Sequence, residues 1–337
     1  MGPFRSYCPL IAALLAVICA DAQASTNRLS EIRSRGELIC GIWPNVPGFA
    51  VAHGDIYAGF DIDICRAVAA AIFGNAAKVA FRAVANIEQF RQDNDIDLVA
   101  RRLTWTLGRE ATSGMTFGPI TFYDGQGLLV RKNRKITSIA QLAGDRLCVL
   151  NTEHQPETLF DYFKDYGRET QLILVENDVQ AEAALRQNRC AAYSADISWL
   201  AAARSGFEHG VLRYDILPQV ISKEPLAPMM RTEDSDLIRV VRWTVFAMLE
   251  AEELGVTSQN INQTAPSSRL RRFLNARPDA EVAPGGGAWV HAIIAGVGNY
   301  AEVFDRNLGS NSPIRLERGF NRLWIDGGLM YAPPLDR

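Results

Sequence analysis

Short apolar, strand-like runs alternate with helical periodicities along this chain, and the alternation starts afresh near Tyr123. Strands separated by helices argue for a parallel α/β sheet, so two rounds of the pattern argue for two such units. In the first round, 38–43, 79–83 and 96–100 read as strands, 61–73 as a helix and 88–92 as a short helix. The helix at 61–73 is entered through Gly59 and stopped by Gly74, which suits the left-handed backbone of a C-terminal cap. Asp61 and Asp63 fall in its first turn, where they cap or brace it. In the second round, 147–150, 171–175 and 190–194 read as strands, and 158–166, 179–187 and 197–204 as helices. An extended stretch at 123–131 and a short helix at 138–142 precede them. A second extended stretch at 216–222 leads to a long helix at 236–254. The last region carries a Pro-Gly-Gly-Gly loop at 284–287 and helices near 289–297 and 320–324.

The N-terminus has the order of an export signal. Arg5 supplies the charge, residues 9–19 a short apolar run, and Ala22-Gln23-Ala24 a small-residue cleavage site. Residues 1–24 are therefore expected to be removed, leaving an exported mature chain that starts near Ser25, with an uncleaved anchor as the alternative. What remains of the 337 residues is long enough for two domains. The net charge of −3 comes with no basic stripe, which argues against nucleic-acid binding. Cys8 and Cys19 leave with the signal, so Cys40, Cys65, Cys148 and Cys190 remain. An even number in an exported chain points to disulfides, and three connectivities are possible. Pairing by proximity joins the first strand to the first helix, Cys40–Cys65, and two later strand-like runs, Cys148–Cys190. Four buried free thiols are the alternative. No Cys-x-x-Cys or Cys-x-x-His spacing supports zinc.

Several stretches, taken in order, resemble the periplasmic solute-binding proteins of polar and general L-amino-acid ABC importers, solute-binding protein family 3. They include Arg35-Gly36-Glu37-Leu38-Ile39-Cys40-Gly41, Pro47-Gly48-Phe49, the 59–74 helix and Thr104-Trp105-Thr106-Leu107. They continue with Tyr123-Asp124-Gly125-Gln126-Gly127, Ala251-Glu252-Glu253-Leu254-Gly255-Val256-Thr257, Gly298-Asn299-Tyr300 and Tyr331-Ala332-Pro333-Pro334. The resemblance implies an α/β, two-lobed periplasmic-binding-protein fold of type II. Each lobe is then a mainly parallel sheet flanked by helices, and a two-strand hinge lets the lobes close over a small ligand. Residues 25–128 with 224–337 are expected to form lobe one and its C-terminal extension, and 129–223 lobe two, with crossings near 128–131 and 222–228. The implied function is capture of a free amino acid, or a close relative, for delivery to an ABC transporter membrane permease. A monomer without cofactor, metal or catalysed reaction is expected. A cleft enzyme of dehydratase or lyase type and a ligand sensor are the alternatives.

The chemistry of such a site is simple. A buried carboxylate needs a charged, hydrogen-bonded partner, and a guanidinium offers a planar fork for it. By resemblance, Thr104 and Arg109 fall on carboxylate-binding positions and Asp196 on the position that receives the ammonium. Asp196 also precedes a helix at Ile197, which it could cap. The chain departs from the family pattern at three places. Arg102 stands where a small hydrogen-bonding residue is usual, with Leu103 replacing a threonine. Thr152-Glu153-His154 stands where the family places Gly-Thr-Thr or Gly-Ser-Thr, and Trp43 replaces an asparagine. Glu153 in the cleft would repel a carboxylate unless Arg102 neutralises it, and so would disfavour acidic ligands. Arg102 is read either as a cleft residue or as a solvated strand-end charge. Trp43 is read as a stacking face or as core, and His154 as a loop residue or a ligand contact. Gly296-Val297-Gly298-Asn299-Tyr300-Ala301 fits G-x-G-x-x-A only formally, because no strand precedes it. His53, His154, His209 and His291 show no metal spacing.

Overall fold

A computed structural model describes residue 2 and residues 27–335, apart from 55, 153, 264–266 and 277–287. The export signal (save Gly2), Glu153 and the loop at 284–287 thus lie outside the described residues. The first unit opens with α1 (Arg28–Arg35), β1 (Leu38–Ile42) and a hairpin of β2 (Val51–His53) and β3 (Ile56–Ala58). It continues with α2 (Phe60–Phe73), β4 (Val79–Ala83), α3 (Ile87–Gln92), β5 (Leu98–Val99), α4 (Leu107–Ser113) and β6 (Met115–Phe117). β1 pairs in parallel with β4 on one side and β5 on the other.

The glycines at both ends of α2 explain its position. Gly59 has φ +139°, and a Cβ there would lie 2.1 Å from the Phe49 carbonyl oxygen, so a side chain does not fit. Gly74, at φ +69°, donates its N–H to the Ala70 carbonyl at 2.8 Å and closes the helix. Almost every α2 residue is buried, because the helix is covered on all sides.

The chain leaves this unit through β7 (Phe122–Asp124) and enters the next through β8 (Gln126–Arg131). There follow β9 (Arg146–Leu150), α5 (Gln155–Asp165), β10 (Gln171–Val175), α6 (Asp178–Arg186), β11 (Ala192–Asp196), α7 (Ile197–Gly206), α8 (Gly210–Arg213) and β12 (Tyr214–Ile216). It returns through β13 (Glu224–Leu226), antiparallel to β7, and then β14 (Met229–Arg231) enters the first sheet between β5 and β6. The two sheets have the orders β4-β1-β5-β14-β6 and β10-β9-β11-β8-β12. In each, three parallel strands are extended by antiparallel ones. This mixed pairing arises because one strand of each sheet comes directly from a crossing.

The first crossing corrects the sequence reading. Residues 128–131, expected as a connection, belong to β8 inside the second sheet, and Leu128, Leu129 and Val130 are buried. Three consecutive apolar residues need cover on both faces, which a solvent-exposed linker cannot provide. The change of sheet falls instead at Gly125, where a Cβ would lie 2.2 Å from Val220 and 2.6 Å from the Ser222 carbonyl.

After β14 come α9 (Ser235–Glu253), α10 (Ser268–Leu274), α11 (Trp289–Gly296) and α12 (Tyr300–Asn307). α9 and α11 pack on α2. The helix expected at 320–324 is two single 3₁₀ turns, Gly319–Asn321 and Trp324–Asp326. This extension braces the crossings. Asn321 accepts from the Tyr123 N–H at 2.6 Å and donates to its carbonyl at 3.0 Å, while the Tyr300 hydroxyl donates to the Thr121 carbonyl at 2.9 Å. It also reaches the second unit, where Arg204 of α7 donates to the carbonyls of Ile314 and Arg315. Cys40 is bonded to Cys65 and Cys148 to Cys190, with Cα separations of 6.3 and 5.6 Å. Each bridge ties strand residues to a neighbouring element of the same unit.

Candidate functional site

Parallel strands deliver their following loops to one edge of a sheet, and here the loops after β5 and β11 meet. After β5 come Arg101, Arg102, Leu103 and Thr104; β11 ends on Asp196, and α7 then begins with Ile197, Ser198 and Trp199. Arg102 has φ +56°, a left-handed backbone that non-glycine residues seldom adopt. Leu103 beside it is buried, which anchors the turn.

Arg102 is the centre of the cluster, and its side chain is only 5% exposed. One terminal nitrogen lies 3.2 Å from Asp124, 3.5 Å from Asp196 and 2.7 Å from the Ser198 hydroxyl. Its guanidinium lies over the rings of Phe49, at 4.8 Å, and Trp199, at 5.7 Å. Ser198 donates its hydroxyl in turn to Asp124, and its N–H reaches the same carboxylate at 3.1 Å. Arg102 is thus buried between residues of the two units and is not a solvated charge. The structure sets it against Asp124 and Asp196, while the expected partner Glu153 lies outside the described residues.

Asp196 stands at the N-cap of α7 but makes no side-chain cap. It accepts from Gln155 at 2.9 Å and faces Arg102. Burial raises its pKa first, the Asp124 charge raises it further, and Arg102 partly offsets both. Asp61 lies beneath the arginines in α2. Burial pushes it up to about 7, against the pull of the Arg102 charge and backbone N–H and of Arg101.

Thr104 donates its hydroxyl to Glu224 at 2.6 Å, so the crossing strand β13 takes up its proton. Thr106 caps α4 by accepting from the Arg109 N–H, and Trp105 turns away to stack on Phe117. Arg109 is half-buried, and its guanidinium donates to the Thr104 carbonyl at 2.8 Å. Arg101 donates to the Ala85 carbonyl at 2.8 Å and lies over Trp43 at 5.2 Å. Burial and then the Arg109 charge lower the Arg101 pKa, so the two guanidiniums repel each other. Among the described residues, neither has a carboxylate within 4.0 Å. Trp43 meets Trp199 across the units at 6.3 Å between ring centroids. His154 is exposed at the start of α5.

Sequence reasoning missed Asp124, Gln155, Ser198, Trp199, Glu224 and the role of Arg101. The available signals were position, since Ser198 and Trp199 directly follow Asp196 and Arg101 precedes Arg102, and for Asp124 its place in the Tyr123–Gly127 stretch.

Two sheets linked by paired crossings, with side chains converging from both, define a two-lobed solute-binding protein of the type II periplasmic-binding class. Residues 38–262 match the bacterial extracellular solute-binding proteins, family 3. The chain is 38% identical over 333 residues to the general L-amino acid-binding periplasmic protein AapJ of Rhizobium johnstonii, covering 96% of each chain. It is 35% identical over 329 residues to the glutamate/glutamine/aspartate/asparagine-binding protein BztA of Rhodobacter capsulatus, again covering 96% of each. Among solved structures it is similar to an ABC transporter periplasmic binding protein from Brucella ovis with glutathione bound. Identity there is 36% and the TM-score 0.78, covering 92% of this chain and 99% of that one. The chain belongs to solute-binding protein family 3, the periplasmic binding components of amino-acid ABC importers.

Proposed function

We propose that this protein captures an amino acid or close relative between its two lobes and delivers it to a membrane permease, without transforming it. The lobes are 25–124 with 224–337, and 125–223, hinged where β7 pairs with β13. Residues 1–24 direct the chain to the periplasm and are cleaved.

One observation carries this reading. Among the described residues Arg109 and Arg101 bond only to main-chain carbonyls through their side chains, which supports a reading in which the two guanidiniums receive a carboxylate. Buried guanidinium donors without a hydrogen-bonded anion are unfavourable, and a ligand carboxylate would offset both the cost of burial and the mutual repulsion. Thr104, bonded through its carbonyl to Arg109, and Trp43, under Arg101 and beside Trp199, would supply further contacts. The names of AapJ and BztA, which specify amino acids, support the ligand class.

The test is calorimetry with common amino acids on the mature protein and on Arg109→Ala. The variant should keep its fold and lose affinity on the order of 3 kcal/mol, the cost of removing one partner from a buried charge pair. Arg109→Lys should also bind weakly, since an ammonium cannot reproduce the fork. Unchanged affinity in Arg109→Ala would remove this residue from the site.

A further inference from the structure

The geometry points to Arg102 as a resident cation in the place of a ligand's ammonium, so that the cleft selects an organic acid by its carboxylate and does not require a free amino group. The inference rests on the reading that Arg109 receives that carboxylate, and it concerns the other end of the ligand.

Every carboxylate of the cluster already has a donor. Asp124 accepts from the Gly125 and Ser198 N–H groups on one oxygen, and from the Ser198 hydroxyl and Arg102 on the other. Asp196 has Gln155 on one oxygen and Arg102 facing the other. Glu224 receives hydroxyls from Thr104 and Ser222, at 2.6 and 3.2 Å. Asp61 lies under Arg101 and Arg102. Each of these carboxylates therefore has a donor from within the chain, although the Asp124 and Glu224 charges still press on Asp196.

The cluster's larger unmet demand is for an acceptor; Gln155 Oε1 is the one acceptor of the cluster that is buried without a donor among the described residues. The Nε atoms of Arg101 and Arg102 are buried with no hydrogen-bond partner, and Arg101 and Arg109 have main-chain carbonyls as their only bonded side-chain partners among the described residues. Buried donors are nearly always satisfied, so such a set marks a place for an acceptor from outside the chain.

An ammonium entering beside Asp196 would also come against Arg102, and like charges in an enclosed site repel strongly. Arg102 cannot easily withdraw. It is wedged between the Phe49 and Trp199 rings, almost fully buried, and its left-handed backbone is set by the turn into buried Leu103. Acidic solutes are thus favoured over basic ones. This reverses the ranking that Glu153 alone suggests from sequence.

The experiment is calorimetric titration of the mature protein with L-glutamate, glutarate, N-acetyl-L-glutamate and L-arginine. Glutarate keeps both carboxylates of glutamate and lacks only the amino group. It should bind within about tenfold of glutamate, whereas a site built around the ammonium would reject it by roughly 10⁴-fold. L-Arginine should bind more weakly than either. Arg102→Asn tests the assignment directly, because asparagine tolerates the left-handed backbone and frees Asp124 and Asp196. Discrimination of glutamate over glutarate should then rise by roughly a hundredfold.

A more than tenfold preference for glutamate over glutarate in the wild type overturns the inference. So does an unchanged ratio in Arg102→Asn, or the failure of the wild type to bind any of the four probes. If the variant does not fold, the wild-type ratio alone decides. Arg109→Ala should weaken glutamate and glutarate alike. If it weakens neither, the carboxylate reading falls while the glutamate-to-glutarate ratio still reports on Arg102.

Discussion

Replacing Asp61 by asparagine should flatten the dependence of stability on pH. Asp61 is 6% exposed in the first turn of α2, and burial raises it from 3.8 to about 7. A carboxyl whose pKa is higher folded than unfolded binds its proton more tightly in the native state. Its contribution is complete below the unfolded pKa and is lost as pH rises through the folded one. The window therefore runs from about pH 4 to pH 7. Between pH 5 and pH 8, linkage with these two pKa values removes on the order of 2 to 3 kcal/mol of stability. Asparagine keeps the shape and an oxygen for the Arg102 N–H, but it has no proton to lose. Urea unfolding of both proteins at pH 5 and pH 8, followed by circular dichroism, measures the difference. Asp97, raised to about 6 mainly by burial, and Asp196 remain in both proteins, so their contributions cancel in the comparison. Equal loss of stability in wild type and Asp61→Asn, to within about 0.5 kcal/mol, would refute the assignment of this titration to Asp61.

Other outcomes follow from packing and covalent links. Non-reducing peptide mapping should recover only Cys40–Cys65 and Cys148–Cys190. Removing either bridge, which close loops of 25 and 42 residues, should cost roughly 3 to 4 kcal/mol in denaturant titration. Gly59→Ala should lose on the order of 3 kcal/mol or more, seen as a fall in melting temperature, because the new methyl meets the Phe49 carbonyl at 2.1 Å. Asn321→Ala should cost about 2 kcal/mol and speed proteolysis of the extension, since it strips both bonds to the Tyr123 main chain.

The sequence by itself determined the features that depend on near neighbours along the chain. Strand–helix alternation marked the three parallel strands of each unit, though not their order in the sheet, and Gly59 and Gly74 marked the ends of α2 because backbone conformation is a local property. The cysteine pairs were legible for a related reason: Cys40 sits on the first strand and Cys65 on the helix that packs beside it, and Cys148 and Cys190 on strand-like runs of one α/β round. Thr104, Arg109 and Asp196, which the resemblance singled out, lie in or beside the loops after β5 and β11. Tertiary structure decided where the chain changes sheet, since the buried faces of β8 are recognisable only once their neighbours are in place. It also decided what Arg102 does. The guanidinium is 94 residues from Asp196 and 96 from Ser198 along the chain, and only the folded crossings bring them together. Hydrophobic periodicity records which face of an element is buried, whereas a charge acquires its partner from whatever the fold sets opposite it. For that reason the sequence could place Arg102 at the end of a strand, and only the assembled cleft could give it two carboxylates to hold.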